Sequence, residues 1–200
     1  MKQRLLLVLL ALFTSIGWMN ADVTLTIPKG ATGSLSFTGD NVLIGNEKKS
    51  SPFSINDLAK NNDAKVTISG DLATLTINTK VTRVTVDGME KLTSLVFSST
   101  AGSDLKGQFS FSGTNGKLAT LTADNCGLTS LPTGLNNALA DKATVSLKNN
   151  KITIVSDLKD AKDITYNFDG NKITSWPKLE NASITYGSQS SAEIKPSTNP

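Results

Sequence analysis

The sequence predicts a mainly β solenoid of about five rungs, with an N-terminal β-rich cap and few short helices. Three observations carry this. In residues 118–132, Leu118, Leu121, Ala123, Cys126, Leu128 and Leu131 fall at relative positions 1, 4, 6, 9, 11 and 14, and apolar residues return at this spacing along the chain. Aromatics make up only 6% while Gly reaches 15, with Thr, Ser and Asn abundant, which favours strands and turns over a helical bundle. No stretch carries sustained heptads or a long amphipathic helix. The spacing has a physical meaning. Positions 4 and 6 share one face of a short strand, position 9 turns the chain, and 11 and 14 bring it back over the same core.

Taken in order, the chain opens with Lys2 and Arg4 before an apolar run from Leu5 to Phe13 and a more polar stretch to Ala21. That is the pattern of a secretory signal peptide over residues 1–21, too short to span a bilayer, with cleavage expected after Ala21. The leader holds two basic and no acidic residues, so the remainder carries a net charge of +1. Charge therefore points to neither nucleic acid nor an anionic membrane as partner. Residues 22–71 alternate at Val23, Leu25 and Ile27 and again at Leu35 and Phe37, between Gly, Pro and Asp-Asn turn signals. They are expected to cap the open end of the core, with a helical turn or two over residues 54–60.

Residues 72–187 hold the repeats. Leu72, Leu75 and Ile77 begin the first rung, and Leu92, Leu95 and Phe97 the second, 20 residues on. The next step is 26, and residues 100–107 read as a loop insertion. Val145, Leu147, Asn150, Ile152 and Val155 follow after 24 residues, then Tyr166, Phe168, Asn171, Ile173 and Trp176 after 21. Lys142 and Asp163 are departures at position 1. Ile184 and Tyr186 read as a last strand, and the polar residues 188–200 as a disordered tail.

The spacing L-x-x-L-x-L-x-x-N/C-x-L resembles a leucine-rich repeat, and the repeat length of about 21 resembles the secreted leucine-rich-repeat proteins of Bacteroidetes-type bacteria and, more loosely, internalins. The resemblance covers residues 72–186. It implies a right-handed solenoid, a polar residue at position 9 (Cys126, Asn150, Asn171) bonding the main chain of a turn, and recognition on the concave strand face.

Chemistry is sparsely provided. There is no histidine, which removes Ser-His-Asp and Cys-His machinery and His metal sites together. Cys126 is the only cysteine, so no intramolecular disulfide forms, and its rung position makes it a buried structural thiol. Asp124 and Asp169 come nearest to a paired-carboxylate site, but nothing singles them out. Trp176, at position 14, is expected to fill core. No catalytic residue, metal or cofactor is expected. Outward positions 3, 5 and 7 give the candidate binding face: Arg83, Thr85 and Asp87; Thr120, Thr122 and Asp124; Ser146 and Lys148; Asn167 and Asp169. It is small, polar and Thr-rich, without the aromatic anchors of tight protein interfaces, so it is either a binding surface or plain exposed strand. The reading is an exported, non-enzymatic binding protein, secreted or at the cell surface or periplasm, recognising an extracellular protein or glycan in adhesion. A structural envelope scaffold is the alternative, and a glycan-processing enzyme the third.

Overall fold

The computed structural model describes residues 21–98, 101–113, 116–161 and 163–187. The expected leader, Ala21 excepted, and the expected tail at 188–200 lie outside the described residues. Within them the chain is mainly β: β1 (Asp22–Ile27), β2 (Gly33–Ile44), β3 (Glu47–Lys48), β4 (Phe53–Ser54), β5 (Ala64–Thr79), β6 (Arg83–Asp87), β7 (Ser94–Phe97), β8 (Phe109–Ser112), β9 (Leu118–Thr122), the single-turn helix α1 (Leu135–Ala138), β10 (Leu139–Ser146), β11 (Thr165–Asn167) and β12 (Ser183–Thr185).

Six of these, β5, β7, β9, β10, β11 and β12, lie side by side in parallel as a front ladder. Leu75, Leu95, Leu121, Val145, Tyr166 and Ile184 stand in one register column across it, so the chain completes about five turns. Alternation drives the burial: in β7 Leu95 and Phe97 are buried while Ser94 and Val96 face outward. The return side is a second, shorter parallel ladder. β6 pairs with β8, then single bridges join Ser110 to Thr133 and Ile154 to Ser175. The core between the ladders is one continuous apolar cluster.

The first section lays two strands against the start of the ladders, one on each side. β1 runs antiparallel between the first half of β5 and β6, covering the return side. β2 runs antiparallel to β5 and covers the front. β5 itself passes straight through residue 71, so cap and repeats share a strand. At Gly70 (φ +97°) a side chain would meet the Asn41 carbonyl; this Gly accompanies the register shift that lets β2 follow the bend.

Two expectations are corrected, and a third gains an anchor. Residues 54–60 form no helix: β4 ends in a turn closed by Leu58 N–H to Ile55 C=O (2.9 Å), pinned by the buried Ile55 and Ala59. The insertion is a loop over its described residues 101–107, anchored where Leu105 is fully buried and its N–H donates to the Cys126 carbonyl (2.8 Å). It fills the column that Leu128 fills one rung later. Trp176 is half-buried, not a full core side chain, and packs edge-on to Phe168 with ring centres 5.5 Å apart.

Lys142 and Asp163, the departures at position 1, meet each other across adjacent rungs at 3.8 Å in solvent. Ala143 and Ile164, one residue later, take the core instead.

Candidate functional site

The turns that hold the rungs together supply the first geometry. An N–H at position 11 points into the core of each turn and needs an acceptor. Val81 N–H finds the Ser103 hydroxyl (3.3 Å), Leu128 N–H the Asn150 Oδ1 (3.0 Å), and Ile152 N–H the Asn171 Oδ1 (3.1 Å). Leu105 N–H goes instead to the main-chain carbonyl of Cys126, whose thiol is a poor acceptor. Asn150 also accepts from Cys126 N–H (3.0 Å) and donates to the carbonyls of Ala123 (2.8 Å) and Leu147 (2.9 Å). Asn171 donates to Leu147 and Phe168, both at 2.8 Å. These are structural staples between neighbouring rungs, as the sequence indicated for positions 150 and 171.

The residue before each staple takes the left-handed conformation: Asn125 (φ 56°), Asn149 (φ 54°) and Gly170 (φ 73°). Asn and Gly tolerate that region. Their recurrence one place ahead of position 9 is a signal the sequence carried and the reading above passed over.

Cys126 is buried, and its thiol donates to the Asp124 carbonyl (3.4 Å). Burial, with a smaller contribution from the Asp124 carboxylate, pushes it up to about 12. A thiol held protonated this firmly is neither nucleophile nor ready metal ligand.

The outward face of the front ladder gathers Thr120 and Thr122 from β9, Ser146 from β10 and Asn167 from β11, with Asp124, Lys148 and Asp169 each two residues beyond its strand. At its margin, Asp124 Oδ1 accepts from the Ser146 hydroxyl (2.7 Å) and Lys148 N–H (2.8 Å), and Lys148 Nζ lies 3.5 Å from Asp124 Oδ2. Lys148 stands between Asp124 and Asp169 in this column. The two carboxylates lie two strand spacings apart, roughly 10 Å between main chains, with a cation interposed. Asp169 N–H donates to Asn167 Oδ1 (3.0 Å) and its own Oδ1 is buried with no hydrogen-bond partner among the described residues.

Arg83, Thr85 and Asp87 are not part of this face. They belong to β6, on the return ladder between β1 and β8, because the valines at 81, 84 and 86 turn the chain back early. Asp87 Oδ1 accepts from the Ser112 hydroxyl there (2.9 Å). Arg83 and Lys65 flank Thr26 on either side, and with Thr24 and Thr85 they line a shallow depression.

The place expected for the Arg83 triplet is taken by Thr74, Thr76 and Asn78 of β5, and beyond them by Ser34, Ser36 and Thr38 of β2. One row therefore reads Thr38, Thr74, Ser94, Thr120, Thr144, Thr165, Ser183. Its hydroxyls touch in places, Thr38 with Thr74 at 2.7 Å and Thr165 with Thr144 at 3.4 Å. Next to it runs Ser36, Thr76, Val96, Thr122, Ser146, Asn167, Thr185. The β2 part escaped the sequence reading because antiparallel pairing across a turn leaves no fixed repeat to follow.

Among the described residues no group of three or more Cys, Asp or Glu is placed to hold a metal, and no helix is long and apolar enough to cross a membrane. Comparison with protein-family models, curated proteins and solved structures returned no match.

Proposed function

We propose that the chain is a right-handed solenoid of leucine-rich-repeat type, exported through its N-terminal leader, that binds an extracellular protein or glycan on its front sheet and performs no catalysis. One observation carries this reading: a row of hydroxyl side chains runs unbroken across seven adjacent strands, and the row beside it is hydroxyl or amide at every strand but β7, where Val96 stands. Strands repeat about every 4.8 Å, and residues two apart along a strand repeat at about 6.7 Å. Such a face presents many weak donors and acceptors and no aromatic anchor, which suits an extended polar ligand in adhesion better than a small substrate. The relation to leucine-rich repeats rests on the spacing in residues 118–177 and on the asparagine staples at its position 9.

The test is a binding screen of immobilised glycans and cell-surface proteins, repeated with Thr122→Arg and Asn167→Arg. Both variants place a long cation in the middle of the face and are expected to abolish binding while the circular dichroism spectrum is unchanged. Arg83→Ala, on the return side, is expected to leave it intact. Loss with Arg83→Ala alone would move the site to the other ladder.

A structural scaffold is the second reading. Ser146 and Asp124 favour it, since both spend their polar atoms on inter-rung bonds and not on a ligand.

A further inference from the structure

On the return side, one group of side chains is left without a structural role. β1 runs between β5 and β6, and its outward residue Thr26 stands in register with Lys65 on one side and Arg83 on the other. The row beside it reads Thr67, Thr24, Thr85. Two long cationic side chains therefore flank a short hydroxyl one, their main chains two strand spacings, roughly 10 Å, apart. Thr24, Thr26, Lys65, Arg83 and Thr85 together line a depression of about 380 Å³.

The two cations are uncompensated. Lysines elsewhere reach carboxylates, as Lys91 does Asp71 (3.0 Å) and Lys106 does Asp104 (3.6 Å), but among the described residues Lys65 and Arg83 make no ion pair. The acids nearest in sequence are engaged: Asp22 Oδ1 accepts from the Thr24 hydroxyl (3.3 Å), Asp87 Oδ1 from the Ser112 hydroxyl (2.9 Å) and Asp63 Oδ1 from Lys29 N–H (2.8 Å). Arg83 is also the only arginine beyond residue 21, in a stretch that uses lysine for every other cation.

These positions select the kind of anion. Asp22 and Asp87 lie two residues beyond Thr24 and Thr85, about 6.7 Å further along the strands, so a continuous polyanion laid along β1 would meet like charge. One compact group fits. A carboxylate would spend both oxygens on the guanidinium fork, whereas a sulfate or phosphate group keeps further oxygens for the Lys65 ammonium and the Thr26 hydroxyl.

We propose that the Lys65, Thr26 and Arg83 row is a seat for a single tetrahedral oxyanion, a sulfate or phosphate group, free or as a monoester. The seat lies on the opposite ladder from the front sheet and depends on nothing bound there.

The test titrates the isotope-labelled full chain with sodium sulfate, and separately with sodium phosphate, at an ionic strength held constant with chloride, and follows the main-chain amide shifts. The expected result is saturable shifts centred on Thr24, Thr26, Lys65, Arg83 and Thr85. Arg83→Ala and Lys65→Ala should each weaken the apparent affinity several-fold, and Lys148→Ala, on the front margin, should not. Lys65 and Arg83 are exposed, so both variants should keep the parent spectrum away from β1, β5 and β6. Shifts that fail to saturate, that appear at lysines across the surface alike, or that survive Arg83→Ala overturn the proposal. Repeating the titration with the sulfate and phosphate monoesters of glucose separates the sources: tighter saturation by an ester assigns the seat to an esterified group, and equal saturation to the ion itself.

Discussion

At the scale of the residue, Asn150 shows how much one side chain holds. It satisfies two N–H groups of the preceding turn and two carbonyls, all buried. Each orphaned buried group costs on the order of 1–3 kcal/mol. Asn150→Ala is therefore expected to lower the unfolding free energy by about 3 kcal/mol or more, and Asn171→Ala, with three such bonds, by about 1–3 kcal/mol. Urea titration of the two variants checks the order; equal midpoints with the parent would reject the staple role. Cys126 gives a pH signature. A free thiol titrates near about 8.5, and burial raises this one to about 12. Since the folded value lies above the unfolded one, the linked stability is present in full below the unfolded value and is lost as pH climbs toward about 12. Native protein is expected to resist a thiol reagent at pH 8 and to react at the rate of global opening; fast reaction would place Cys126 nearer solvent. Position 9 was legible because Asn and Cys recur there. The acceptor role of Ser103 was not, because the longer rung shifts it out of step.

At the scale of the element, the last turn depends on Asp160. Its carboxylate accepts from the main-chain N–H groups of Glu180 (2.8 Å), Asn181 (2.8 Å) and Ala182 (2.9 Å), which start the chain into β12. These bonds, that from Glu180 foremost, hold Asp160 below the usual carboxylate range. A depressed folded value means that the stabilisation is present above the unfolded value and is lost as pH falls through the depressed one. Asp160→Ala should speed amide exchange at residues 180–185 by an order of magnitude and leave β7 and β9 unchanged; uniform acceleration would show that the rungs do not open separately. Tyr166, whose hydroxyl donates to Lys159 C=O (3.0 Å), ties the same corner, and burial keeps its phenol above the ordinary range. Strands were legible wherever apolar residues alternated, as at Val145 and Leu147. The turn at 54–60 resembled a helix because Ile55 and Ala59 are four apart, a spacing that one tight turn satisfies equally.

At the scale of the whole molecule, two ladders give two outward surfaces, and their separation decides how a binding test is read. The repeat was visible in the sequence because a parallel column keeps one residue type at one place: Leu75, Leu95, Leu121, Val145. What lay outside sight was which ladder a strand joins. Val84 and Val86 alternate just as Leu95 and Phe97 do, so periodicity assigns them the same inward face but cannot distinguish front from return. That is why Arg83, Thr85 and Asp87 were grouped with Thr120, Thr122 and Asp124. Their displacement supplies an internal comparison. Lys148 is 41% exposed and pairs with a mostly buried Asp124 that keeps its bonds from the Ser146 hydroxyl and the residue-148 N–H, so Lys148→Ala should cost about 1 kcal/mol of stability, yet it removes the cation that stands between Asp124 and Asp169 on the front margin. If the ligand is anionic, Lys148→Ala should weaken binding several-fold and flatten its salt dependence, with Arg83→Ala without effect. If the ligand is neutral, affinity should be indifferent to both changes and to ionic strength, and only the bulky Thr122→Arg and Asn167→Arg should abolish it. Titrations at two salt concentrations across these four variants therefore assign both the face and the charge of what it binds.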